Sequence, residues 1–307
     1  MIDVKRLRVL RELAARGTVI AVADALDYSP SAVSQQLATL EREVGVPLFR
    51  RSGRTLELTA AARFLAGEAD ELLGHIERIE SAMRRSQDEV SGSIRVATFQ
   101  TAMLALLPQT LSRLRTEYPS LRVDVVQYEP ESGLFETWVR GFDLVIAEHY
   151  PAHAPVQFAG LDREPLTRDR IELALPPVGV NPAFDNVAAL ADAAELPWVM
   201  EPRPAASRHW AEQLCRTAGF EPDVRFETAD MQAHLRLVES GNAAALLPGL
   251  IHVDADPRLR LIGLPDDPHR TIFSAARISG AEHPGIAAMR SILAEESASS
   301  PARRPSA

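Results

Sequence analysis

The sequence predicts a chain of three parts: an all-α head that ends in a β-hairpin, one long helix, and an α/β domain of two lobes. Three observations predict this fold class. Short segments with helical apolar spacing fill residues 1–59. Residues 60–90 contain no Pro and carry apolar residues at alternating spacings of four and three. From residue 94 onward, strand-length apolar runs alternate with helical stretches.

Three helices and a hairpin are predicted in the head. The first helix ends at Gly17, and Thr18 is suited to cap a second helix that runs to Leu26. After the turn "DYS", Ser29 caps a third helix that starts at Pro30, where a missing N–H costs nothing. The segment "PLFRRSGRTLELT" is typical of a short hairpin with an Arg-rich tip. Two helices joined by a three-residue turn, with a hairpin behind them, indicate a winged helix-turn-helix.

The third helix carries a polar face that is suited to the major groove of DNA. Ser and Gln side chains can donate to and accept from base edges, and Arg side chains on a wing can meet phosphates or the minor groove. The predicted DNA contacts are Ser31, Ser34, Gln35, Arg50, Arg51 and Arg54. The alternatives are a solvated, capping helix end and, for Arg50, an ion pair inside the head.

The charge distribution confines DNA binding to the head. Residues 1–59 carry nine Lys or Arg against seven Asp or Glu, and the rest carries 24 against 35, which accounts for the net charge of −9. An acidic body repels polyanions, so only the locally basic head is expected to contact nucleic acid.

The long helix over 60–90 is predicted to pair with a second copy of itself. Its apolar positions form a heptad seam flanked by charges, and a helix this long with so narrow a stripe is not expected to stand alone. The alternative is packing against the rest of the same chain. The seam residues are Leu65, Leu72, Ile76, Ile79 and Met83.

The remaining residues predict an α/β effector domain, 91–295, with a mostly parallel sheet. Some 200 residues are many for one such sheet, so two lobes are expected. Lobe I covers about 91–162 and 268–295, and lobe II covers about 163–267. The apolar-poor segment 296–307 is expected to be a disordered tail.

Several fixed positions in the head carry a family resemblance. Ser29 and Ser34 open the recognition helix, and the pair Leu40-Glu41, the motif "LFRR" at 48–51 and "LT" at 58–59 follow at fixed spacing. Through these motifs the first ninety residues resemble the LysR-type transcriptional regulators, and "VESGNAAALLPGL" extends the resemblance more loosely to the rest. The chain departs from the family where Pro30-Ser31 replaces Gln-Pro, so no operator sequence can be deduced.

The resemblance implies an effector domain similar to periplasmic binding proteins, with a small molecule bound between the lobes. By that analogy, ligand contacts come from strand ends and helix N-termini. The expected effector-binding residues are Thr98, Gln100, Thr101, Glu148, His149, Arg203, Ser207, Thr228 and Asp230. Arg203 and helix N-termini would suit a carboxylate, whereas Glu148 and His149 would suit an amine or a metal. The alternative is that these residues are caps and surface charges.

The sequence contains no motif that indicates an enzyme, a metal site or a membrane span. It has no nucleophile elbow, no phosphate-binding loop and no dinucleotide fingerprint, so no catalytic residue or cofactor is expected. The histidines show no ligand spacing, and the single Cys215 cannot form a disulfide within the chain. No apolar run is long enough for a membrane span and the N-terminus is no signal peptide, so a cytoplasmic protein is expected.

The sequence therefore predicts a homodimeric or homotetrameric regulator that binds a partly palindromic operator in double-stranded DNA. A small molecule between the lobes would modulate that binding, and RNA polymerase is a candidate further partner. The main alternative is a constitutive or nucleoid-type DNA-binding protein whose cleft stays empty. A second alternative is a ligand-binding or enzymatic α/β protein with an accessory head.

Overall fold

A computed structural model describes residues 2–52, 55–153, 157–252 and 258–299, and it confirms the predicted fold class. The second and third helices of the head begin at the capping residues that the sequence predicts. Thr18 Oγ1 accepts from the N–H of Ala21, and Ser29 Oγ accepts from the N–H of Ala32. Gly17 ends the first helix in the left-handed region, at φ 79°, which favours Gly. The head elements are α1 (Val4–Arg16), α2 (Val19–Leu26), α3 (Pro30–Val44), β1 (Phe49–Ser52) and β2 (Thr55–Leu58).

The third helix and the wing are fixed to each other by one carboxylate. Val33, Leu37 and Leu40 on the inner face of α3 are buried in the head core. Glu41, at the end of that face, accepts hydrogen bonds from the backbone N–H groups of Leu48 and Phe49, at 2.7 and 3.2 Å. The start of the wing is therefore held in a defined position relative to α3.

The long helix α4 (Ala60–Arg85) ends five residues before the predicted boundary at 90. Thr59 caps it by accepting from the N–H of Ala62. Its small residues lie on the buried side: Ala62, Ala66 and Ala69 pack in the head core. Further along, Gly74 lies against Ser279 of the effector domain. One helix thus contacts both parts of the chain.

Lobe I is built on a sheet with the strand order β6 (Leu161–Leu175), β11 (His269–Arg277), β5 (Leu144–His149), β3 (Gly92–Thr98) and β4 (Leu121–Gln127). One face is covered by the helices α5 (Gln100–Ala105), α6 (Leu107–Glu117) and α11 (Pro284–Ser299). The other face is covered by α7 (Pro130–Trp138) through a core that includes Leu134, Val145 and Phe273. Its elements before the crossing to lobe II are β3 (Gly92–Thr98), α5 (Gln100–Ala105), α6 (Leu107–Glu117), β4 (Leu121–Gln127), α7 (Pro130–Trp138) and β5 (Leu144–His149).

The crossing strand β6 (Leu161–Leu175) belongs to both lobes. Residues up to Arg170 pair with β11, and residues from Ile171 pair with β9 and β10. The remaining elements are α8 (Pro182–Asp185), β7 (Pro197–Met200), α9 (Ala206–Thr217), β8 (Asp223–Glu227), α10 (Met231–Glu239), β9 (Ala245–Pro248), β10 (Arg260–Ile262), β11 (His269–Arg277) and α11 (Pro284–Ser299), with short 3-10 turns at Leu190–Ala193 and Gly249–His252.

The effector domain differs from the sequence prediction in three respects. The sheet is mixed rather than mostly parallel, because β6 and β11 run between the lobes in opposite directions and pair antiparallel. The lobes meet near Arg170, several residues after the predicted border at 162. Helix α11 extends to Ser299 and so includes four residues of the segment expected to be disordered, while 300–307 lie outside the described residues. In the part of the chain described, no helix combines the length and apolar character needed to cross a membrane.

Candidate DNA-binding surface and effector pocket

The polar face of α3 is open to solvent. Ser31, Ser34 and Gln35 are all exposed on the side opposite the buried leucines. Ser31 Oγ lies 2.9 Å from Ser29 Oγ, and Ser34 Oγ donates to the carbonyl of Pro30 at 2.9 Å. Both hydroxyls keep acceptor capacity, and the Gln35 amide makes no hydrogen bond to a described residue. The arrangement can present donors and acceptors to base edges in a groove.

The wing places the first arginine of the tip beside this helix. Arg50 is exposed on β1 and lies opposite Glu57 in the ladder, without an ion pair to any residue that the structure describes. The described residues therefore do not support the alternative role of Arg50, an ion pair inside the head. Arg51 belongs to β1, but its side chain is not described, and Arg54 lies outside the described residues.

Helix α1 of the head docks directly on α7 of the effector domain. Arg16 donates to both carboxylate oxygens of Glu136 at 2.8 Å, and its guanidinium lies over the ring of Phe135. This bidentate ion pair raises the pKa of Arg16 further above its ordinary value. Arg11, which is buried, donates to the carbonyl of Trp138 at 2.7 Å and stacks on its indole ring. Charge-assisted contacts therefore hold the head against one end of α7.

Helix α4 completes this junction. Asp70 accepts from Arg11 at 3.0 Å and from Arg140, which follows α7. Although burial opposes its ionisation, the hydrogen bonds and charges of the two arginines lower the pKa of Asp70. Glu77 of α4 pairs with Arg140 at 3.1 Å and with Arg277 of β11 at 2.9 Å. Head, α4 and lobe I thus share one network of ion pairs.

The other end of α7 borders a cavity of about 340 Å³ between the lobes. The cavity lies at the carboxyl ends of β5 and β7, where ligands bind in open α/β sheets. Its volume falls within the usual range of small-molecule sites. Pro, Leu and Ala side chains form much of its wall. The lining residues are Glu129, Pro130, Glu131, Ser132, Leu134, Glu148, Tyr150, His153, Glu201, Pro202, Arg203, Pro204, Ala205, Ala206, Ser207 and Ala229.

A buried arginine supports the base of this cavity. Arg270 donates to Asp169 at 2.8 Å, to Thr101 Oγ1 at 2.7 Å and to Glu148. Burial raises the pKa of Glu148 to about 7, since it outweighs the attraction of Arg270, and the charges of Glu201 and Asp169 raise it further. One guanidinium is therefore shared by two carboxylates, and the cluster carries a net negative charge once Glu148 is ionised.

Two further carboxylates of the cavity also resist ionisation. Burial raises the pKa of Glu201, which accepts a hydrogen bond from Ser207. Burial and the charge of Glu201 raise the pKa of Glu129. Arg203 is 70% exposed and hydrogen-bonds to Glu212 at 2.8 Å, a carboxylate that it shares with Arg208 and Arg216.

Two family models match the chain. "Bacterial regulatory helix-turn-helix protein, lysR family" matches residues 4–63, and "LysR substrate binding domain" matches residues 87–298. The chain belongs to the LysR family. It is a DNA-binding transcriptional regulator with a domain that binds a small-molecule effector.

Named relatives and solved structures agree with this assignment. The chain is 29% identical to the transcriptional dual regulator GltC of Bacillus subtilis over 264 residues, 83% of this chain and 84% of the relative. It is 27% identical to the malonate utilization transcriptional regulator of Klebsiella pneumoniae over 81% and 80% of the two chains. Its fold matches a full-length OxyR variant of Pseudomonas aeruginosa with a TM-score of 0.66, 18% identity and coverage of 99% and 97%. Full-length CbnR in complex with its target DNA matches with a TM-score of 0.53, 21% identity and coverage of 96% and 100%.

Three of the expected effector-binding residues of this LysR-family chain line the cavity: Glu148, Arg203 and Ser207. The other six do not. Thr98 and Thr101 are buried beneath it, and Thr101 binds Arg270 instead. His149 points to the opposite side of β5, near Phe273, because neighbouring residues of a strand face opposite ways.

The remaining expected residues join the two lobes beside the cavity. The Gln100 amide donates to Asp230 at 2.8 Å and accepts from the N–H of Met231 at 2.8 Å. Thr228 Oγ1 accepts from the N–H of Asp230 at 3.1 Å. These side chains satisfy one another and form a bridge between lobe I and lobe II.

Sequence reasoning identified Glu148 but missed Glu129, Glu131 and Glu201, the other carboxylates of the lining, and Arg270 beneath it. Glu129 and Glu201 each follow a strand directly or within two residues, which was an available indication. Arg270 lies in β11, far along the chain from Glu148. The antiparallel pairing of β11 with β5 and β6 brings it to the site. Tyr150, six per cent exposed, lines the same wall.

The residues of the predicted heptad seam lie in three environments. Leu65 packs against the head core, and Ile76 lines a crevice between α4 and the effector domain. Leu72, Ile79 and Met83 remain 38%, 50% and 64% exposed, and these three residues form the α4 stripe. A row of exposed apolar side chains on a helix is typical of a surface that a partner covers.

Cys215 is fully buried in α9. Burial raises the pKa of its thiol to about 12, so the thiolate that would react with an oxidant is scarcely populated. Among the described residues, no group of three or more His, Cys, Asp or Glu is placed to hold a metal ion.

Proposed function

We propose that the effector pocket controls the DNA-binding head through helix α7. One observation carries this proposal: the N-terminal end of α7 lines the pocket, and its C-terminal end holds the head. Glu129, Glu131 and Leu134 border the cavity, while Glu136 and Trp138 bind α1. A ligand that prefers one placement of α7 thereby favours one placement of the head, because a packed helix moves as a unit.

The DNA contacts in this proposal are those of the exposed helix face and the wing. Ser31, Ser34 and Gln35 contact base edges, and Arg50, Arg51 and Arg54 contact phosphates or the minor groove. The α4 stripe pairs with the same stripe of a second copy, so two heads are presented together and the operator is partly palindromic. The protein acts in the cytoplasm as a regulator rather than an enzyme, with RNA polymerase as a candidate partner at the promoter.

The coupling is tested by two substitutions of opposite charge in one ion pair. Arg16→Gln removes a positive charge from the head, and Glu136→Gln removes a negative charge facing it. If bulk electrostatics dominated, the first would weaken operator binding and the second would strengthen it. If the docked contact sets the placement of the head, both change operator affinity in the same direction, and the double variant changes it no further.

The measurement is fluorescence anisotropy on a duplex selected by the full chain from a randomised-site library. Glu117→Gln is the matched control, since Glu117 pairs with Arg113 on α6, away from the head. Opposite shifts for the two single variants, or strictly additive shifts in the double variant, would contradict the proposal.

A further inference from the structure

The effector pocket combines an apolar wall with an unusual charge. Four carboxylates and one guanidinium line it, and that guanidinium, Arg203, is already engaged by Glu212. The guanidinium beneath the floor, Arg270, is divided between Glu148 and Asp169. Among the described lining residues, four carboxylates thus stand against one guanidinium, which is itself 70% exposed, so an anionic ligand would meet an excess of like charge.

The helix N-termini at the pocket do not reverse this balance. Helices α7 and α9 both begin at the cavity, and each helix end contributes roughly half of a positive charge. Glu131, in the first turn of α7, is stabilised by that helix end, and its side chain is 56% exposed to solvent, so it does not depend on a ligand. Glu129, Glu148 and Glu201 remain, and together they exceed what two helix ends supply.

Burial disfavours the ionised forms of these three carboxylates, since it removes their hydration. Burial raises the pKa of all three. For Glu129 and Glu148, the charge of another carboxylate raises the pKa as well. An opposite charge placed among them favours their ionised forms and replaces the lost hydration. A second carboxylate or phosphate in the same space would instead add to the repulsion.

We infer, given the effector role proposed above for this pocket, that its ligand is an organic cation: an amine, amidine or guanidine on an aliphatic or aromatic body. The carboxylates bind the positive group, and Pro130, Leu134 and Pro202 pack against the body. A bare metal ion fits less well, because no group of three ligating side chains converges within the described residues.

The test measures binding of probes of matched size to the full-length chain by calorimetry. Phenethylamine is compared with phenethyl alcohol and phenylpropionate, which keep the ring and replace the ammonium by a neutral or an anionic group. Agmatine serves as an aliphatic guanidinium probe. We expect at least one cation to bind, and the neutral and anionic counterparts to bind about tenfold more weakly or worse.

Glu201→Gln locates the binding, since it removes one charge and keeps the size of the side chain. Cation affinity should fall about tenfold in this variant and stay unchanged in Glu195→Gln, a control at an exposed position of the same lobe. The inference is overturned if no cation binds at millimolar concentration, if the alcohol or the carboxylate binds as tightly, or if Glu201→Gln binds the cation like the wild type.

Operator affinity, measured with each probe present, separates this inference from the proposed function. If an anionic or neutral probe occupies the pocket and changes operator affinity, the ligand class is wrong and the regulatory role stands. If a cation binds through Glu201 without changing operator affinity, the ligand class stands and the regulatory role fails.

Discussion

Replacing Arg270 should destabilise the effector domain more than any surface arginine would. The side chain is 2% exposed and bridges α5, β5 and β6 through Thr101, Glu148 and Asp169. Arg270→Met keeps an unbranched apolar stem and leaves two carboxylates without a countercharge. Asp169 is fully buried, and among the described residues it then keeps the hydrogen bond from the N–H of Leu250, at 3.0 Å, but no positive charge. Removing one partner of such a cluster costs about 3–5 kcal/mol.

That loss should appear in thermal melts as a decrease in Tm on the order of 10 °C for a domain of this size. It should also depend on pH with a definite sign. Without Arg270, Glu148 loses the positive charge that opposes the effect of burial, so its pKa rises further, the folded state binds more protons than the unfolded chain, and stability falls as pH rises. The gap to wild type should therefore be small near about pH 5 and large near about pH 8.

Arg270→Lys is the matched variant, since it keeps the charge but loses the planar fork, and it should retain much of the stability. Urea unfolding followed by circular dichroism at both pH values decides the question. A loss for Arg270→Met below about 1 kcal/mol, or a loss equal at both pH values, would refute this account of the buried cluster.

Three further predictions concern the head and the assembly. Gln35→Ala should weaken specific DNA binding by about 1–3 kcal/mol without lowering Tm. Leu37→Ala, in the head core, should instead cost about 2–5 kcal/mol of stability. Early melting of Gln35→Ala with unchanged base preference would contradict the assignment of that face. Arg50→Ala should reduce the salt dependence of binding by about one phosphate contact, and an unchanged slope would count against the wing. Ile79→Asp should shift the mass in light scattering from dimer to monomer while Ile79→Leu should not, because a buried unpaired carboxylate opposes the contact of two α4 stripes; an unchanged mass would show that the stripe packs elsewhere.

Local chemistry made the head predictable from the sequence. Thr18 and Ser29 cap helices in the structure as predicted, because each cap is completed by a backbone N–H three residues away. The opposition of exposed Gln35 to buried Leu37 follows from helical periodicity alone. No distant part of the chain was needed for either inference.

The pocket was less predictable, since it depends on contacts between distant segments. The first ten residues of β6, "LDREPLTRDR", include six charged residues and a Pro, so they lack the apolar alternation of a strand, yet they form one by pairing with β11. The pairing of β11 with β5 on its other side brings Arg270 to Glu148, 122 residues away, and residues that were expected to bind ligand form an internal ion cluster instead. Gln100 and Asp230 were also expected to contact the ligand. They bind each other instead, and this contact between distant segments could not be deduced from the sequence.

The coupling of pocket and head through α7 is tested most directly by one titration. Operator affinity of the full chain is measured with increasing amounts of a cationic probe, for wild type and for Glu136→Gln, with probe binding measured in parallel. Wild type should change its operator affinity by about fivefold or more, the usual lower range of coupling between sites. Glu136→Gln should bind the probe equally well and lose most of that change. A full response in Glu136→Gln would contradict the account, because the signal would then reach the head without the contact between Arg16 and Glu136.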